Sequence, residues 1–177
     1  LNERLMDLKE NLLNKVPLKI FSYLCRVPYT PHYEREIART VNVSIGATNQ
    51  TLKLLLSMGL VTREKKGQLY LYRIIADSPA VREFKKFENI IGLTDLILRI
   101  RDVCRKIVLY GSCATGEDTT ESDIDIFIVT ETKAKVLNEI RKEMRRLDRE
   151  IKPVIVRVEE YLTMRNRKEV FLEELNK

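Results

Sequence analysis

Two short apolar runs, Ile107 to Tyr110 and Ile124 to Thr130, flank the polar loop Ala114 to Glu121 and limit what this chain can fold into more than any other feature. Their β-branched and aromatic content predicts a strand in each. Gly111 follows the first run, where the backbone needs freedom to turn sharply. Ser112 then places a hydroxyl beside backbone N–H groups, a combination suited to an anion such as phosphate. Ser122 and Asp123 lead into the second run. Strand alternation would point Asp123 and Asp125 one way and Ile124 and Ile126 into the core. Two carboxylates about 6–7 Å apart along a strand can share a hard divalent cation. Mg²⁺ (or Mn²⁺) favours one or two carboxylates completed by substrate phosphates. The pattern predicts a site for metal-assisted phosphoryl chemistry.

The order Gly111-Ser112-Cys113-Ala114-Thr115-Gly116 and then Ser122-Asp123-Ile124-Asp125 resembles the polymerase-beta-type nucleotidyltransferase superfamily in its minimal form. The resemblance implies that Gly111, Ser112 and Ser122 hold the phosphates of an NTP. It also implies that Asp123 and Asp125 hold Mg²⁺ and are the catalytic acids. The NMP would pass to an acceptor, and a protein hydroxyl, a small molecule and a nucleic-acid end all stay open. The family usually places a third carboxylate on a later strand, here Ile151 to Val158. That strand holds no acid in its interior: Pro153 stands at the expected position, or Lys152 if the register slips, with Glu150 and Glu159 only bracketing it. Thr115 stands where many relatives carry Arg. These departures favour a one-metal site and leave open a nucleotide sensor that does not turn its ligand over.

With 177 residues and 44% hydrophobic content, the chain has enough material for one ordinary domain or two small ones with real cores. No apolar run approaches about 18 residues, and no signal-peptide pattern opens the chain, so a cytoplasmic protein without a membrane partner is expected. Three cysteines without a Cys-x-x-Cys, and the single histidine His32, speak against a disulfide scaffold, a zinc site or histidine-based catalysis. The net charge of +6 is unevenly spread: residues 1–77 carry 12 Lys/Arg against 7 Asp/Glu, the remainder 20 against 19.

The basic half reads as helices. Leu1, Leu5, Leu8 and Leu12 form a heptad-like stripe to about Lys15, which packs on its own domain or forms the seam of a homodimer. A helix from Val16 to Arg26 follows, with Pro17 near its start. Thr30-Pro31 predicts a cap and first-turn proline for a helix running to about Thr40. After Val41-Asn42-Val43, Ser44 caps a helix from Ile45 to Met58 that Gly59 ends. Ile45, Leu52, Leu55 and Leu56 are its expected apolar face; Gly46, Asn49, Gln50 and Lys53 are its outward face. Leu60 to Arg63 and Gln68 to Arg73 then predict a hairpin with the basic tip Glu64-Lys65-Lys66-Gly67. Over residues 14–76 this resembles the winged helix-turn-helix domains of prokaryotic regulators. The phrases Arg35-Glu36-Ile37-Ala38-Arg39 and Met58-Gly59-Leu60-Val61 carry the likeness. It implies that Asn49, Gln50 and Lys53 read the major groove of double-stranded DNA, with Lys65 and Lys66 on backbone phosphates.

Asp77-Ser78-Pro79 starts a further helical stretch, from Ala80 to Ile90 and Leu93 to Cys104, with Gly92 a break. After the strand pair come a helix from Lys133 to Glu150, the third strand and a last helix from Glu159 to Asn176. The expectation is an α+β chain of two domains. Residues 1–77 would be a winged helix-turn-helix, and residues 78–177 a nucleotidyltransferase fold with a small mixed sheet.

Overall fold

The computed structural model describes residues 15–167 and 169–175; the stripe Leu1, Leu5, Leu8 and Leu12 lies outside the described residues. The chain is α+β and divides into two compact units, Leu1–Phe87 with Gly116–Glu121, and Glu88–Thr115 with Ser122–Lys177.

The first unit contains α1 (Val16–Arg26), β1 (His32–Tyr33), α2 (Glu34–Val41), α3 (Ile45–Ser57), β2 (Val61–Lys66) and β3 (Leu69–Ile74). This is a winged helix-turn-helix, with α2 and α3 joined through Asn42 in a left-handed turn (φ 56°). Ser44 caps α3 by accepting from the Ala47 amide at 3.2 Å, and Gly59 (φ 68°) lets the chain leave it. Pro31 does not open α2. His32 and Tyr33 instead pair with Tyr72 and Leu71 of β3. The helix starts three residues later than expected, where Glu36 accepts from the Tyr33 amide at 2.9 Å.

The buried face of α3 also differs from expectation. Ile45 is half exposed, and Thr48 and Thr51 are buried with Leu52 and Leu55. The Thr48 hydroxyl donates to the Ser44 carbonyl at 3.0 Å, so the threonine can be buried with its polar group satisfied. The wing is longer and its turn tighter than the sequence suggests. Lys65 and Lys66 pair with Tyr70 and Leu69 inside the ladder, leaving Gly67 (φ 63°) and Gln68 as the turn. Ile20, Leu24, Ile37, Leu52, Val61 and Ile74 form this unit's core, joined by Val81.

Residues Gly116–Glu121 belong to the same unit. The Thr120 amide donates to the Arg26 carbonyl at 3.1 Å. Asp118 and Lys85 are both buried; the ammonium lies 3.7 Å from one carboxylate oxygen and donates to the Asp118 carbonyl. Gly116 (φ 74°) lies so close to the Arg82 backbone that a Cβ there would stand 2.2 Å from its carbonyl oxygen.

Helix α4 (Pro79–Ile100) runs unbroken through Gly92. A glycine inside a helix costs about 1 kcal/mol, which the burial of Leu93, Leu96 and Ile100 outweighs. The Gly92 carbonyl also accepts from the Arg146 guanidinium at 2.7 Å. A 3₁₀ turn (Arg101–Val103) leads into β4 (Cys104–Tyr110), three residues longer than its apolar run. The second unit continues with α5 (Ser112–Thr115), β5 (Ile124–Thr130), α6 (Lys133–Leu147), β6 (Ile151–Val156), α7 (Val158–Asn166) and α8 (Val170–Glu174). The strand expected to reach Val158 stops at Val156, and the expected final helix is two helices, α7 and α8.

The sheet order is β4-β5-β6, antiparallel in the first pair and parallel in the second. Both faces of β5 are buried. Ile124, Ile126 and Ile128 pack with Leu93, Leu96, Val136 and Ile140. Phe127 and Val129 pack on the opposite side with Tyr161, Phe171 and Leu172. Within α6, Glu143 is buried against two guanidiniums, Arg99 at 2.6 Å and Arg146. Burial pushes its carboxyl upward, but the two arginines overcome that and hold it below the usual carboxylate range.

Candidate functional site

The site is set by strand register. Tyr110 of β4 pairs with Asp125 of β5, and Asp125 pairs with Lys152 of β6. Paired residues share a face, so Tyr110, Asp125 and Lys152 form one row across the sheet. Asp123, two residues before Asp125, comes just ahead of β5. The row continues the face that buries Phe127 and Val129, and the Tyr110 ring meets Phe171 edge-on at 5.6 Å. Burial raises the Tyr110 phenol, and the Asp125 charge raises it further.

The structure brings the glycine-serine bend and the acids together. Gly111 (φ 68°) lies so near Asp125 that a Cβ would meet its Oδ2 at 2.5 Å. The buried Cys113 thiol donates to the Asp123 carbonyl at 3.4 Å. Arg149, which the sequence analysis overlooked, donates to the Ser122 carbonyl at 2.8 Å and to the Cys113 sulfur at 3.4 Å. Its guanidinium ties the residues after the bend to those before β5. The short helix α5 uses two amides of the bend internally: Ala114 and Thr115 both donate to the Gly111 carbonyl.

Of the two residues the sequence offers in place of a third acid, Lys152 pairs with Asp125 and shares its face, while Pro153 pairs with Ile126 and shares its core-facing side. The Lys152 ammonium stands 2.5 Å from Asp123 Oδ2. Its pKa is raised, chiefly by the hydrogen bond to Asp123 and then by that carboxylate's charge, with Glu150 and Asp125 contributing. Among the described residues, no group of three or more His, Cys, Asp or Glu side chains could hold a metal ion. Of the two carboxylates expected to share one metal ion, Asp123 is instead paired with the Lys152 ammonium.

The sequence-predicted DNA residues all lie on α3 and the wing. Gln50, Lys53, Lys65 and Lys66 are exposed. Asn49 is half-buried, and its amide donates to Glu34 Oε2 at 2.7 Å. Asn49 and Lys53 line a cleft of about 420 Å³ with Tyr33, Arg35, Arg63 and Tyr70. The Arg63 guanidinium lies 4.3 Å over the Tyr70 ring.

Residues 96–176 match the family model described as "Nucleotidyltransferase domain". No curated protein matches the chain. Two solved structures are loosely similar. One is a predicted DNA-binding transcriptional regulator from E. coli, 23% identical over 50% of this chain and 90% of that one, with a TM-score of 0.35. The other is TrmBL2, an archaeal chromatin protein, 15% identical over 98% of this chain and 77% of that one, with a TM-score of 0.33. No helix among the described residues is long and apolar enough to cross a membrane.

Proposed function

We propose that this protein is a DNA-binding regulator whose nucleotidyltransferase-type domain binds a nucleoside triphosphate as a ligand without turning it over. The observation that carries this reading is Lys152, a cation on the acid face at the strand where transfer chemistry needs a third carboxylate. A general base must accept the acceptor hydroxyl's proton, and a protonated ammonium cannot. The parts that would bind the ligand remain: the left-handed turn at Gly111, Ser112, Ser122 fastened by Arg149, and Asp125 against the turn.

The test is incubation of the full chain with labelled NTPs and Mg²⁺, reading both binding and pyrophosphate release. Saturable binding without pyrophosphate is the expected result. Pyrophosphate that disappears in Asp123→Asn or Asp125→Asn would replace this reading with Mg²⁺-dependent NMP transfer to an acceptor, whether protein, small molecule or nucleic acid.

In the amino-terminal unit, α3 and the wing are proposed to hold double-stranded DNA, with Gln50 and Lys53 at base edges and Lys65 and Lys66 on phosphates. Asn49 would read a base only after releasing Glu34. Each phosphate contact adds about 0.9 to the magnitude of the log-affinity slope against log salt. Lys65→Ala with Lys66→Ala should therefore flatten that slope by about 1–2 in duplex-binding titrations. Equal slopes would remove the wing from the interface.

A further inference from the structure

We infer that Lys152 supplies from within the chain the positive charge that the acid pair would otherwise draw from a divalent ion, so that a triphosphate is held here against an ammonium and without metal. The inference rests on reading the strand-end row as a triphosphate site, and deepens that reading by naming the counter-charge.

Three observations carry it. Lys152 sits at the place in the row defined by Asp125, on the same face of the sheet. Its ammonium is already within hydrogen-bonding distance of Asp123. No third carboxylate accompanies the pair among the described residues. Hard cations such as Mg²⁺ and Mn²⁺ gain affinity from the number and charge of their oxygen ligands. Here one of two acids is neutralised, and an incoming ion would meet a positive group beside it. An anionic triphosphate faces the reverse situation. Two bare carboxylates would repel it, whereas an ammonium between them and the ligand is a point charge suited to phosphate oxygens. Charge reversal at this one residue should convert the row into a three-carboxylate metal site.

The experiment uses the full chain and Mn²⁺ alone, followed by the electron paramagnetic resonance signal of free Mn²⁺, so it needs no nucleotide. Lys152→Glu should bind one Mn²⁺ at least about tenfold more tightly than wild type. Adding Asp123→Asn should abolish that gain, and Lys152→Gln should fall between. The side chain is largely exposed, and a far-ultraviolet circular dichroism melt checks that each variant is folded. Wild type that binds Mn²⁺ as tightly as Lys152→Glu, with affinity lost in Asp123→Asn, would overturn the inference, because the metal would then displace the ammonium. A Lys152→Glu variant with no gain would overturn it too. A second arm measures ATP binding in EDTA and in Mg²⁺. Equal affinities in wild type support the inference, and a requirement for Mg²⁺ overturns it. If ATP binds under neither condition, the nucleotide-ligand reading fails, while the Mn²⁺ arm still decides the role of Lys152.

Discussion

Gly116→Ala should destabilise the amino-terminal unit by about 3 kcal/mol or more, read as a fall in the urea midpoint of its unfolding. Two independent costs meet at this residue. The backbone is left-handed at φ 74°, which costs a residue with a Cβ about 1–2 kcal/mol. The added carbon would also stand 2.2 Å from the Arg82 carbonyl oxygen and 2.8 Å from its carbon. Those are main-chain atoms in α4, so no side chain can swing aside to relieve the contact. The matching control is Gly67→Ala, where φ is 63° but nothing lies within 4 Å of the new carbon. That change should cost only about 1 kcal/mol. Equal midpoints for the two variants would show that the seat of Gly116 against Arg82 contributes nothing.

Gly111→Ala is expected to act on binding more than on folding. Here too the backbone is left-handed, but the obstruction is the end of a side chain, Asp125 Oδ2 at 2.5 Å. The carboxylate can rotate away, so the fold should lose about 1 kcal/mol for the strained backbone. Nucleotide binding cannot escape so cheaply, because the displaced group is the acid that lies against the bend. An affinity loss of about tenfold or more, equivalent to 1.4 kcal/mol, should appear in the fluorescence anisotropy of a labelled ATP analogue. Unchanged affinity with an intact fold would mean that the bend and Asp125 do not serve one ligand.

These two glycines also show which parts of the molecule can be read along the chain. Gly111-Ser112 and Ser122-Asp123-Ile124-Asp125 are contiguous motifs, and the alternation of β5 follows from its own residues. Their convergence was therefore legible. So were the cap at Ser44, the start of α4 at Pro79 and the exit from α3 at Gly59. The choice between Lys152 and Pro153 was not, because the face each takes depends on how β6 docks beside β5, and α6 separates the two strands in sequence. One step of register exchanges Lys152 for Pro153. The unbroken α4 was hidden for another reason: glycine propensity argued for a break, and burial decided against it. Thr48 is polar but lies inside, since its hydroxyl bonds back to the Ser44 carbonyl. Arg149 had one available signal, a basic residue just past α6, yet nothing in the sequence places it beside Ser122 and Cys113.

The six residues from Gly116 to Glu121 have a practical consequence for anyone dissecting the molecule. They pack with the amino-terminal unit, although the residues on either side of them, Thr115 and Ser122, belong to the other. No single scissor point in the gene can therefore release either half intact. A fragment starting at residue 88 would keep Asp118 and lose Lys85, while one stopping at residue 87 would keep the lysine and lose the acid. A clean excision would need the bridge replaced by a short neutral splice from Thr115 to Ser122, with the six residues returned to the other piece as a graft.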